Sequence, residues 1–126
     1  MMHAATAFVL LVSLSPEQRL THQLRSAPEL TVAWDDHRIV LKQPKQLLQL
    51  LTVAWTQSAV TEDEAHVVLR FGTLADILVL EDGSLQSNQA RLHFDVGYEF
   101  WTALDRAVSK ELGKPVRLLH IANGVK

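Results

Sequence analysis

Six histidines and no cysteine decide which chemistry this chain could carry. Without a thiol there is no disulfide, no thiolate nucleophile and no cysteine-bound metal. Histidine and carboxylate remain, as acid–base groups or as ligands for zinc or iron. His66, His93 and His120 each fall in a stretch that reads as a strand, and His22 and His37 lie beside other elements. Asp76 or Asp95 could complete such a set. The spacing argues otherwise: neither HxH nor HExxH occurs, and short intervals are how one element presents two ligands to one ion. We therefore expect no metal, no cofactor and no catalytic residues, with the histidines in ordinary structural or exposed roles. Asp76 interrupts the apolar stretch Leu74–Leu80, where a perturbed carboxyl could work as an acid or base. The simpler reading makes it an outward-facing strand residue.

Signatures for phosphate and acyl chemistry are missing. The five glycines are scattered, with no GxxxxGK[ST], no GxGxxG and no GxSxG. A basic row exists instead: Arg106, Lys110 and Lys114 recur at four-residue intervals and could track phosphates along the last long helix. Asp105 and Glu111 dilute that row, and a net charge of −2 gives the whole chain no attraction to nucleic acid. Nucleic-acid binding through this row is a second alternative. A small enzyme or ligand-binding domain using Asp76 and the strand histidines is the first.

The elements that must position these groups are legible to different degrees. At 126 residues, 48% apolar and 21% charged, the chain suits one domain, residues 1–126, with a well-filled core. Ala4–Leu14 is apolar but has no Lys or Arg before it and no A-x-A site after it, and it is too short to span a bilayer. It reads as a buried strand over Ala7–Leu14, with no membrane insertion and a cytoplasmic location expected. Ser15-Pro16-Glu17 opens a helix that Pro28 stops. Leu30–Trp34 and His37–Lys42 read as strands joined at Asp35-Asp36. Pro44 opens a second helix that we expect to run to Ala59. Thr61–Glu64 is an acidic connector. His66–Phe71 and Leu74–Leu80 read as strands around a Gly72-Thr73 turn, Leu85–Gln89 as a polar loop, and Ala90–Phe94 as a strand. Asp95 is the expected N-cap of the clearest helix. Phe100, Trp101, Leu104, Val108 and Leu112 form its stripe, Gly113 ends it, and Val116–Ala122 reads as a final strand.

The order β-α-β-β-α-β, then β-β-α-β, begins like the split βαβ pattern of ferredoxin-like folds. The expectation is α+β with a mostly antiparallel sheet; a three-layer α/β arrangement is the alternative. The expected helix 45–59 is apolar around more than half its girth, more than one sheet face can cover. Leu50 and Val53, lying off the line of Leu47, Leu51 and Trp55, point outward on that reading. Together with Trp55 and Trp34 they are the expected protein interface. The function that follows is non-enzymatic: an accessory, assembly or regulatory factor that binds a protein partner or forms a homodimer.

Overall fold

The computed structural model describes residues 15–61 and 64–124. The strand expected at Ala7–Leu14 lies outside them, as do Glu62 and Asp63 of the acidic connector. The described chain is α+β: a seven-stranded sheet, antiparallel at every pairing, with four helices. Helix α1 spans Pro16–Arg25, and strands β1 (Glu29–Trp34) and β2 (His37–Lys42) follow as a hairpin. Then come α2 (Lys45–Leu48), β3 (Ala54–Gln57), β4 (Val67–Phe71), β5 (Ile77–Val79), β6 (Leu85–Ser87) and β7 (Leu92–Asp95). Helices α3 (Tyr98–Leu112) and α4 (Leu118–Ala122) close the chain. The strand order is β2-β1-β4-β5-β6-β7-β3, so β2 and β3 are its edges.

Alternation along the strands sends one face inward. Leu30, Val32 and Trp34 stand opposite Phe71, Leu69 and Val67, and the same face continues through Ile77, Val79, Leu85 and Phe94. Leu20 and Leu24 of α1, the stripe Phe100, Trp101, Leu104 and Val108 of α3, and Leu118 and Ala122 of α4 pack into this one core. That gives two layers, helices on sheet, rather than three. Among the described residues no helix is long and apolar enough to cross a membrane.

Local signals hold at several ends. Ser15 caps α1 with a reciprocal bond to Gln18. Asp35 takes a φ of 45° in the β1–β2 turn, a conformation aspartate tolerates better than most residues. Gly113 ends α3 with φ 78°.

Other expectations are corrected. The helix expected over 45–59 is only Lys45–Leu48; the chain then turns and returns as edge strand β3. Thr52, Val53 and Thr56 are β-branched, and pairing Trp55 with Phe94 across the ladder outweighs the helical periodicity of Leu47, Leu51 and Trp55. The split βαβ start is lost with it, because no long helix joins β2 to β4. Val116–Ala122 is not a strand: Leu118 and Ala122, four apart, face the core of a short helix. Leu85–Gln89 is not a loop but contains β6, whose polar residues are buried with partners. The next strand starts at Ile77 rather than Leu74, after the turn Gly72–Asp76. The N-cap of α3 is Gly97, since Asp95 is still paired with Ala54 in the sheet.

Candidate functional site

Two concave regions are lined by several cations, and a third by Glu64, Glu81 and Asp82. The larger is an open groove of about 1150 Å³ at the end of the sheet where β2 finishes. Its walls are the C-terminal end of α1, the Lys42–Pro44 turn, α2, and α3 near Ala107. Gln43 makes the corner with a φ of 56°, and its amide donates to the Pro28 carbonyl at 3.2 Å. Arg25, Lys42, Lys45 and Lys110 line the groove together with glutamines and with Pro28, Leu41 and Leu47, and no carboxylate or aromatic side chain is among the lining residues. Arg25 is anchored, donating through Nη2 to the Leu51 carbonyl at 2.7 Å. Among the described residues the one ion pair is elsewhere, between Arg70 and Asp76 at 2.8 Å. None of the groove's cations is in an ion pair among the described residues, although Glu29 stands opposite Lys42 in the β1–β2 ladder.

The smaller region is a cleft of about 480 Å³ between the β1–β2 turn, the residue leading into β4, and the segment joining α3 to α4. His37, His66 and His120 all line it, with Trp34 and the cations Lys114 and Arg117. Trp34 and His37 face each other across the hairpin and stack, with ring centroids 4.9 Å apart and planes 15° from parallel. Helix α4 is fixed by Asp105, whose Oδ1 accepts the Leu118 amide at 3.0 Å. Burial pushes the Asp105 carboxyl above its ordinary value, against the opposing pull of that amide, Arg117 and His120. The three histidines ring the cleft without converging: no group of three His, Cys, Asp or Glu among the described residues could hold a metal ion.

A third cluster resembles a hydrolytic relay in composition only. Ser84 is buried, its hydroxyl and its amide both donate to Asp82 Oδ1, and His93 Nε2 lies 2.6 Å from its Oγ. The side-chain bond from Ser84, then its amide, holds the Asp82 carboxyl below its ordinary value. Asp82 accepts the hydrogen bond of the serine O–H, which leaves Ser84 Oγ as an acceptor toward His93 rather than a donor to it. In a catalytic triad the histidine stands between serine and acid; here the serine does, and no nucleophile is generated. Beside it, Gln86 and Asn88 clamp the segment 58–61. Gln86 accepts from Ser58 and donates to the Ala59 carbonyl, while Asn88 exchanges two bonds with the Thr61 backbone. Polar burial in β6 is satisfied at each of these groups.

The residues singled out from sequence are dispersed. Asp76 is half-exposed, paired with Arg70, and lines neither region. Of the strand histidines, His66 and His120 reach the cleft and His93 does not; His37, which with Trp34 flanks the turn as a candidate nucleic-acid handle, joins them. The row Arg106, Lys110 and Lys114 divides: Arg106 borders a shallow depression beside Leu50 and Tyr98, Lys110 the groove, Lys114 the cleft. Leu50 and Val53 are half-buried after α2 and are not presented by a helix. Trp55 is engaged within the chain, its ring 4.3 Å from Phe94 and its Nε1 donating to Thr21 Oγ1 at 2.8 Å. Trp34 is only 6% exposed. The apolar interface helix therefore gives way to a cationic groove. Sequence reasoning missed Arg25, Lys42 and Lys45 because the meeting of the α1 end, the Lys42–Pro44 turn, α2 and α3, not spacing, sets them around one opening.

Compared with family models, with curated proteins and with solved structures, the chain matches none.

Proposed function

We propose that this chain is a cytoplasmic, non-catalytic binding protein, an accessory or regulatory factor whose groove grips an acidic segment of a protein partner. The observation that carries the reading is the set Arg25, Lys42, Lys45 and Lys110 around one groove whose lining has no acid. Cations at a groove rim draw in an acidic chain and orient it, and arginine among them can bind a carboxylate through two bonds. Pro28, Leu41 and Leu47 offer apolar contact between the charges, which suits a peptide with alternating acidic and apolar residues. A nucleic-acid strand is favoured less, since its bases need aromatic platforms that this lining lacks.

The test is fluorescence anisotropy with a labelled peptide of alternating Glu and Leu, its Gln-for-Glu counterpart, and a single-stranded DNA of equal length. The acidic peptide is expected to bind with marked salt dependence and to lose about tenfold or more in Lys42→Glu with Lys110→Glu. The same variant should lose partners that co-purify with the wild type from its source. Tighter binding of DNA than of peptide, or charge-reversed protein that binds as before, would refute the reading. Concentration-dependent dimerisation abolished by the same substitutions would identify the partner segment as a second copy.

A further inference from the structure

We propose that the cleft at the β1–β2 turn is a second, separate site that takes a small organic anion: a carboxylate or phosphate head on a compact apolar body. Its volume of about 480 Å³ lies in the range of small-molecule sites. Its lining joins two chemistries. Trp34, Leu112, Val116 and Ile121 supply apolar wall, and Lys114 and Arg117 supply charge. Neither cation is in an ion pair among the described residues. Two acids stand nearby: Asp35 lines the cleft at the turn, and Asp105 accepts the Leu118 amide while interacting with Arg117 and His120.

The histidines decide the size of the occupant. Three line the cleft, yet they do not gather closely enough to share a metal ion. A ligand that touches all three of them must have molecular dimensions. His37 adds a directional element. Its Nδ1 is buried and has no hydrogen-bond partner among the described residues. Stacking on Trp34 holds the ring plane in place. A fixed ring with a nitrogen still to be partnered, lining the same cleft as two cations, offers an anionic ligand a directional contact beside their charge.

The probes are benzoate, phenyl phosphate, neutral benzamide and inorganic phosphate, followed through the histidine ring resonances of the whole chain by NMR. His22 and His93 lie outside the cleft and serve as internal controls. Benzoate or phenyl phosphate should move His37, His66 and His120 and leave the controls in place, with affinity in roughly the millimolar range expected for so few atoms. Whichever of the two binds tighter identifies the head group. Benzamide should bind about tenfold more weakly or worse, and Lys114→Gln with Arg117→Gln should weaken the anion by a similar factor. Both substituted residues are exposed, and unchanged control resonances will show the fold intact. The proposal fails if the three histidines do not move, if benzamide matches benzoate, or if the double variant binds as the wild type does. It fails also if inorganic phosphate binds as tightly as phenyl phosphate, since the apolar wall would then contribute nothing.

Discussion

Asp105→Ala and Asp105→Asn separate two roles that one side chain combines. The carboxylate accepts the Leu118 amide at 3.0 Å, satisfying a first-turn donor of α4 that the helix itself leaves free. Alanine removes the acceptor. Leu118 is fully buried, so its amide is left without a partner away from water, which should cost about 1–3 kcal/mol. Asparagine keeps an acceptor oxygen in the same place and removes the charge. Burial is the largest influence on this carboxyl and pushes it above its ordinary value of 3.8. The folded chain therefore holds the Asp105 proton more tightly than the unfolded chain does. Its contribution to stability is complete below 3.8 and is lost as pH rises through the raised value. Asparagine has no such proton to lose. Urea unfolding of the three proteins by circular dichroism, from about pH 4 to pH 7, isolates the effect as a difference. The alanine variant should be less stable throughout. The asparagine variant should gain on the wild type as pH rises. If asparagine costs as much as alanine at neutral pH, attraction to Arg117 and His120 holds α4 in place, and the argument from the hydrogen bond fails.

Trp101 is only 5% exposed in the core stripe of α3, so Trp101→Ala should cost about 3–5 kcal/mol in equilibrium denaturation. A loss below about 1 kcal/mol would put its indole at the surface. Gly113→Ala meets open space but keeps a φ of 78°, and should cost about 1 kcal/mol from backbone alone. Gly83→Ala has a φ of 86° and would also bring a Cβ to 3.2 Å from Leu119, so its loss should be the larger; equal losses would show that Leu119 yields freely.

What the sequence could show depended on how local the cause was. Ser15 and Gln18, Asp35, Gly113 and the Phe100–Val108 stripe each act within a turn or two of chain, and each is readable there. Trp55 was misread because its strand exists only by pairing with β7, and nothing near residue 55 announces a partner at Phe94. Gln86 was read as loop because polarity usually means solvent; here it means bonds to Ser58 and Ala59. The spacing of Leu118 and Ala122 did contain the helix, but a short apolar run fits a buried strand equally well. The groove and cleft are further removed still. Each draws on segments that are brought together only by the completed sheet.

The strand order has a consequence for how the chain reaches this state. β1–β2 is a local hairpin, and β4 to β7 form a meander of sequence neighbours. Two seams join them to the rest: β1 against β4, and β3 against β7, where Thr56 bonds His93 from 37 positions away. Closing loops of that length costs entropy before any contact repays it, and such topologies fold slowly. The hairpin and the meander can form early, each from its own turns, whereas β3 can only dock on a β7 already in place. Its four residues, on an edge and mostly exposed, make it the last strand to join and the first to leave. Amide exchange should find β3 the least protected strand of the sheet and β4 among the most. Full protection of β3 at the level of β4 would mean that both seams close in one step.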